Sequence, residues 1–222
     1  MGEDRDIVPI IAVARHRLAV DGQGVTTLVA FHGCTLHCQY CLNAQCLRAD
    51  GFSRTITPAE LLNEVMIDNL YFLATGGGIT FGGGEPAIRS EFIEAFCRIA
   101  PPEWHITMET ALNVNRFHLE RLLPHVHQYI IDVKDANPDI YCRYTGQDNQ
   151  RVLDNLQWLL GHKGMAEHIV VRMPHIPDYN TNDDVCRTRE HLTALGITHI
   201  DEFTYKRFDS QSVVDDVAVI TE

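Results

Sequence analysis

Short apolar runs rich in β-branched residues recur along the chain, and helical periodicity fills the intervals between them. VTTLVAF (25–31), ITF (79–81), WHITM (104–108), YIIDV (129–133), IVVRM (169–173) and HIDEFTY (199–205) predict six strands. Helices are expected over 58–73, opened by Thr57-Pro58, over 90–100, opened by Ser90, over 115–123, over 151–160, and over 183–195, closed by Gly196. Strand and helix alternating about every 30 residues implies right-handed βαβ units and a parallel sheet. Six such units are too few to close an eight-unit barrel. The expected fold is therefore α/β, a partial (β/α)6 TIM-like barrel with a largely parallel sheet, a doubly wound sheet being the other arrangement the pattern admits. No repeat, low-complexity segment or linker divides the chain. Residues 1–222 read as one domain, with a core over 18–206 and an acidic tail, 207–222, that carries no motif.

Composition narrows the function. Hydrophobic residues make up 45% of the 222, enough for a sizeable core. Eighteen Lys and Arg against 30 Asp and Glu give a net charge of -12, which argues against a nucleic-acid-binding surface, since phosphate neutralisation needs a surplus of cations and no basic run supplies one. The first residues, MGEDRDIVPIIAVARHRLAV, start acidic and hold only a short apolar run. Neither a signal peptide nor a membrane span is expected there, and the expected compartment is the cytoplasm. The seven cysteines are odd in number and three are clustered, so a metal or redox role is favoured over a disulfide framework.

Chemistry in a parallel α/β sheet gathers at the carboxyl ends of the strands. Those positions hold HGCTLHCQYCLNAQC after the first strand, GGGEP after the second, Glu109-Thr110 after the third, Asp132 and Lys134 at the fourth, Arg172 on the fifth and Tyr205-Lys206 at the sixth. Cys34, Cys38 and Cys41 lie within one loop. A structural zinc site wants four N or S ligands, with Cys46 or a nearby His as a possible fourth, but no second Cys-x2-Cys knuckle follows. Three thiolates suit an iron–sulfur cluster that keeps one iron open to another ligand. Both readings stand on the spacing alone.

The Cys-x3-Cys-x2-Cys loop, with Tyr40 before its last cysteine, resembles the signature of the radical S-adenosylmethionine (SAM) enzymes. VDGQG (20–24), HGCTLHCQYCLN, GGGEP (82–86), Asp132-Val133-Lys134 and a basic residue on the fifth strand resemble the glycyl-radical-enzyme activating branch, of the pyruvate formate-lyase-activating type, over residues 18–206. The resemblance implies a 4Fe-4S cluster on Cys34, Cys38 and Cys41, whose free iron chelates SAM. It implies that Gly82, Gly83 and Gly84 let backbone approach the methionine moiety, and that Glu85 complements its charge or fixes the loop. Glu109 stands where the family carries its third-strand acid. Lys134 and Arg172 would neutralise the carboxylate, Asp132 would meet the ammonium, the ribose or a cation, and Tyr40 would line the adenine edge. The implied reaction is reductive cleavage of SAM to a 5'-deoxyadenosyl radical that takes a hydrogen from a glycine of a partner glycyl radical enzyme. A flavodoxin or ferredoxin would donate the electron, under anaerobic conditions.

Departures and competing readings bear on the partner. The chain runs from Cys46 to the first helix without the cysteine-rich insert of many relatives, Glu109-Thr110 replaces Asp-Thr-Asn, and TYKRFDS (204–210) lacks Pro-Tyr-His. A radical SAM enzyme acting on a small molecule or another peptide, and a noncatalytic zinc- or cluster-binding module, are the alternatives. Gly82 to Ala87 also spells a formal dinucleotide fingerprint, G-x-G-x-x-A, with Glu103 following. Cys97, Cys142 and Cys186 read as packing residues and Cys46 as a bystander to the cluster.

Overall fold

A computed structural model describes residues 7–18 and 20–205; Lys206 and the acidic tail lie outside the described residues. The strands are β1 (Val8–Leu18), β2 (Val25–Phe31), β3 (Arg54–Ile56), β4 (Gly78–Gly83), β5 (His105–Thr110), β6 (Gln128–Asp132), β7 (Ile169–His175) and β8 (Ile200–Thr204). The helices are α1 (Pro58–Val65), α2 (Asn69–Thr75), α3 (Ser90–Ile99), α4 (Arg116–Leu122), α5 (Pro138–Thr145), α6 (Gln150–Leu160) and α7 (Asn182–Ala194). All eight strands form one sheet in the order β3-β1-β2-β4-β5-β6-β7-β8. From β2 through β8 every pairing is parallel, so the six-unit alternation read from the sequence is present in the fold. The sheet does not close into a barrel, because β3 and β8 end it without pairing to each other.

Parallel strands are covered on both faces, and β4 shows it: Gly78 through Gly82 are all buried. Phe31 on β2 stacks on Phe81 of β4 at 5.6 Å and meets Phe92 of α3 edge-on at 5.5 Å. Phe96 of α3 then packs edge-on against Phe81. Each such fully buried ring contributes roughly 1.5–3 kcal/mol by leaving water, and together they clamp the first two βα units on which the cysteine loop and the glycine run are mounted.

The fold departs from the expectation in three places. β1 and β3 add two antiparallel strands beside β2. In β1 the register shifts between Ile10 and Ala12 and again between Ala14 and Arg17, and His16 sits at a φ of 58°. Two breaks of register destroy the alternation by which a strand is recognised. The helix expected over 58–73 is two, α1 and α2, separated by a 3-10 turn at Met66–Asp68. Asp68 at this break is fully buried, and Arg15 of β1 donates Nε to its Oδ2 at 2.8 Å while Thr27 Oγ1 donates to the same oxygen at 2.9 Å. The third departure is α5. Asn137 caps it by accepting from the Asp139 N–H, Pro138 fixes its first turn, and Gly146, at a φ of 76°, ends it. Among the described residues no helix is long and apolar enough to cross a membrane.

Candidate active site

The loop after β2 leaves the sheet at Phe31 and returns at Cys46, whose carbonyl accepts from the Gly33 N–H at 3.0 Å. Its middle is held from the other side of the fold. His37 donates its N–H to Thr145 O at 2.9 Å and Gln39 donates to Tyr144 O at 3.1 Å, so the last turn of α5 grips both neighbours of Cys38. The glycine run holds the start of the loop. Gly84 donates to Phe31 O at 2.9 Å and Glu85 donates to Gly33 O at 2.8 Å.

Gly83 and Gly84 are required by the protein's own backbone, before any ligand is considered, whereas at Gly82 only side-chain ends stand in the way. A Cβ on Gly82 would lie 2.8 Å from Glu109 Oε2 and 3.0 Å from Leu28 Cδ1; on Gly83, with a φ of 95°, 2.7 Å from the Ala30 Cα; on Gly84, 2.1 Å from Gly33 O. Gly83 and Gly84 line a cavity of about 520 Å³ at the carboxyl ends of the strands, and Gly82 packs behind them. Glu85, 1% exposed, ties this segment to β5: its Oε1 accepts from Thr110 Oγ1 at 2.6 Å and from the Ala87 N–H at 3.1 Å, and its Oε2 from the Ala111 N–H at 3.0 Å. Of the two roles anticipated for Glu85, fixing the loop is the one these bonds describe. Burial pushes its carboxyl up to about 6, against the pull of the three donors.

Cys34, Cys38 and Cys41 line this same cavity, with Glu109, Asp132, Lys134 and Arg172. The four charged side chains are linked in a chain. Arg172 donates Nη1 to Glu109 Oε1 at 2.8 Å and Nε to Asp132 Oδ1 at 2.7 Å. Lys134 donates Nζ to Asp132 Oδ2 at 2.9 Å and to the Tyr205 hydroxyl, also at 2.9 Å. Two bases and two acids cancel, so the network stands in the cavity wall without net charge. Burial opposes the Asp132 carboxylate, but Lys134 and Arg172 outweigh it and hold the carboxyl below its usual range. Glu109 goes the other way: burial raises it, and Arg172 offsets only part of the rise.

Burial pushes Cys34 up to about 12 and Cys38 to about 11, with Lys134 opposing the rise at Cys38. Burial raises the packing residue Cys97 as far, so the shift names no ligand. As ligands the loop cysteines would be thiolates, and a bound centre would supply the balancing positive charge. Among the described residues no group of three or more His, Cys, Asp and Glu converges tightly enough for a single metal ion. A cubane spreads its thiolate ligands over separate corners, and three cysteines along one cavity wall match that demand. Cys46, 1% exposed, lies beside Cys41 and Cys34 behind the loop, and burial raises it to about 11. Tyr40 packs edge-on against Tyr144 at 6.0 Å and Tyr179 at 5.7 Å, and its hydroxyl donates to Asp178 at 3.2 Å; the cavity wall is formed by other residues.

Sequence reasoning passed over Arg17, Asn43, Asp201 and Phe203, which also line the cavity. Asp201, Phe203 and Tyr205 alternate along and just past β8, a period-2 signal that marks one face of a strand. Asn43 donates Nδ2 to Gly83 O at 3.0 Å, and Arg17 pairs with the buried Asp21 of the VDGQG segment. Asn43 closes the HGCTLHCQYCLN segment on which the resemblance rests, whereas no local pattern identifies Arg17.

Residues 28–191 match the Radical SAM superfamily. Pyruvate formate-lyase-activating enzyme of Staphylococcus aureus strain USA300 is 30% identical over 184 residues, covering 79% of this chain and 72% of the relative. Among solved structures, Streptococcus suis SuiB bound to S-adenosylmethionine superposes with a TM-score of 0.61 at 10% identity, over 86% of this chain and 49% of that one. Native anSMEcpe with bound AdoMet gives 0.56 at 17% identity, over 80% of this chain and 52% of the other. The chain thus spans about half the length of these structures, and at such identities the likeness is one of fold. The cofactors of the family are a 4Fe-4S cluster and S-adenosylmethionine. The chain belongs to the radical SAM superfamily, in the branch that resembles pyruvate formate-lyase-activating enzyme.

Proposed function

We propose that this radical SAM enzyme is a glycyl-radical-enzyme activase, with Cys34, Cys38 and Cys41 holding the cluster and the Glu109–Arg172–Asp132–Lys134 network holding S-adenosylmethionine. The observation that carries the reading is that three cysteines of one loop and a charge-balanced network share a single cavity wall. When bound, the cluster and S-adenosylmethionine would supply reductive radical chemistry, and the hydrogen taken would be that of a glycine in a partner protein.

The chain's own residues bind and orient. The methionine end of the cofactor carries both an ammonium and a carboxylate. A network in which Asp132 can turn toward the first, and Lys134 or Arg172 toward the second, exchanges internal ion pairs for external ones without leaving a buried charge unpaired. Gly83 and Gly84 bring backbone to the same wall. Glu85 keeps that backbone fixed through Thr110 and Ala111. The partner class rests on the 30% identity to the Staphylococcus aureus activating enzyme. A flavodoxin or ferredoxin in an anaerobic cytoplasm is the electron donor this reading requires.

The test is anaerobic reconstitution followed by reduction in the presence of S-adenosylmethionine. Wild-type protein is expected to release 5'-deoxyadenosine, and a Cys34→Ala, Cys38→Ala, Cys41→Ala variant is not. Equal release from both would remove the catalytic reading. For the activase reading, incubation with a glycyl radical enzyme should produce a glycine-centred radical signal. Turnover without that signal for any such partner from the same source would assign the radical to another substrate.

A further inference from the structure

Tyr141 on α5 is fully buried, and its hydroxyl has no hydrogen-bond partner. Buried polar atoms are nearly always paired, so an orphan of this kind asks what it faces. The helix that carries it is fastened to the cysteine loop on both sides of Cys38, through His37 N–H to Thr145 O and Gln39 N–H to Tyr144 O. Tyr141 lies one turn before Tyr144 and Thr145 among the buried positions of α5, Cys34 and Cys38 pack against the buried cluster to which it belongs, and Lys134 and Glu85 are the other ionisable groups near its hydroxyl. Lys134 already serves Asp132 and Tyr205, and the oxygens of Glu85 are taken by Ala87, Thr110 and Ala111. The sulfurs remain. A neutral thiol is a weak acceptor, whereas a thiolate or sulfide bearing the charge of a cluster is a good one.

We propose that the Tyr141 hydroxyl donates a hydrogen bond to a sulfur of the iron–sulfur cluster, at or beside Cys38, and thereby raises the cluster's reduction potential. The proposal rests on the assignment of the cluster to Cys34, Cys38 and Cys41. Reduction adds negative charge to the sulfurs, so a donor aimed at one of them stabilises the reduced state more than the oxidised one. The grip of α5 on the loop fixes the donor's position relative to the ligand, which makes Tyr141 a positioning and tuning residue rather than a ligand.

The experiment is a redox titration, followed by electron paramagnetic resonance, of reconstituted wild-type protein, Tyr141→Phe and Tyr129→Phe, with iron and sulfide counted in each. Tyr129 on β6 supplies the control: its hydroxyl is equally buried and unpartnered, and burial alone perturbs it. Y141F is expected to load the same four irons and to show a reduced-to-oxidised ratio about tenfold lower at a fixed poise, a downward shift of about 59 mV for one electron. Y129F is expected to match wild type. In the cluster-free protein Y141F should melt above wild type, having lost an orphaned polar group, and that gain should vanish once the cluster is loaded. A merely structural tyrosine would give the same gain in both forms and an unmoved midpoint, which overturns the proposal. If Y141F fails to retain the cluster, the bond is read in wild-type protein as an exchangeable proton coupled to the cluster's electron spin, and the absence of that coupling overturns it as well. Wild-type protein that takes up no four-iron cluster overturns the ligand assignment and this proposal together, whereas a loaded Y141F with an unmoved midpoint overturns this one alone.

Discussion

Lys134 donates to Asp132 across 2.9 Å, and the lysine is 5% exposed. The chain runs on past the end of β6 with the Val133 N–H on Arg172 O, so the two residues, two apart, share one face and both enter the cavity, where Asp132 also receives Arg172 of β7. Asp132→Asn would leave two cations facing a neutral amide in a place where water reaches them poorly. Removing one partner of a buried pair costs about 3–5 kcal/mol; the Asp132 and Arg172 side chains are each 24% exposed, which puts the expectation at the lower end. Urea unfolding of the cluster-free protein is expected to show a loss of about 3 kcal/mol, and equilibrium dialysis a loss of S-adenosylmethionine binding by the loaded protein. A change below about 1 kcal/mol would mean that the two cations are hydrated rather than paired.

How much of this site was legible in the sequence depends on how far apart its parts lie along the chain. Cys34, Cys38 and Cys41 are local, and their spacing pointed to their chemistry. Glu109, Asp132, Lys134 and Arg172 were legible as charges at strand ends. Their pairing was not, because Arg172 reaches Glu109 across 63 positions and the register that joins them belongs to the sheet. The same limit explains the split between α1 and α2, since the buried Asp68 at the break is held by Arg15, 53 residues away. α5 escaped notice for a different reason: it is eight residues long, and its buried positions are tyrosines and a threonine besides Ile140, so its apolar stripe is faint. It is nevertheless the element that grips Cys38.

Gly84 is the position where the two signature segments meet. Its N–H binds Phe31 O, and a methyl group there would have to occupy the space of Gly33 O, 2.1 Å away. Backbone cannot yield as a flexible side chain would. Gly84→Ala is therefore expected to part the glycine run from the cysteine loop, with a destabilisation of about 3 kcal/mol, in the range of severe backbone misfits. Iron bound per chain after reconstitution should fall well below that of wild type. Full iron content with an unchanged melting temperature would show that the loop relaxes freely.

Cys46 tests the opposite expectation. It lies beside Cys34 and Cys41 and is buried to 1% exposure, yet its backbone links to the loop, the N–H to Asn43 O and the carbonyl that accepts from Gly33, are ones that alanine supplies equally. Cys46→Ala should leave four irons per chain and the visible absorbance of the cluster unchanged. The cost should be limited to the packing of one small apolar side chain, about 1 kcal/mol. Loss of iron in this variant, matching that of Cys41→Ala, would make Cys46 a ligand and return a four-thiolate site to consideration.

Glu85 makes stability depend on pH in an unusual direction. Its carboxyl titrates near 6 in the folded protein against 4.5 for the free side chain, chiefly because burial disfavours the charged form. The folded state therefore holds this proton more tightly than the unfolded state does. The group's contribution is complete below about 4.5 and is lost as the pH rises through about 6, and the gap between those two titration points corresponds to a loss of roughly 2 kcal/mol. Glu85→Gln does not titrate, and its single acceptor oxygen must face the three donors of Thr110, Ala87 and Ala111, so it is less stable than wild type at acidic pH. As the pH is raised, wild type loses the contribution of Glu85 and the variant does not. The gap between their unfolding free energies should accordingly narrow by about 2 kcal/mol between about pH 4.5 and pH 7 in the cluster-free protein. A gap that stays constant over that range would mean that the Glu85 carboxylate is ionised throughout, stabilised by its three donors more strongly than burial opposes it.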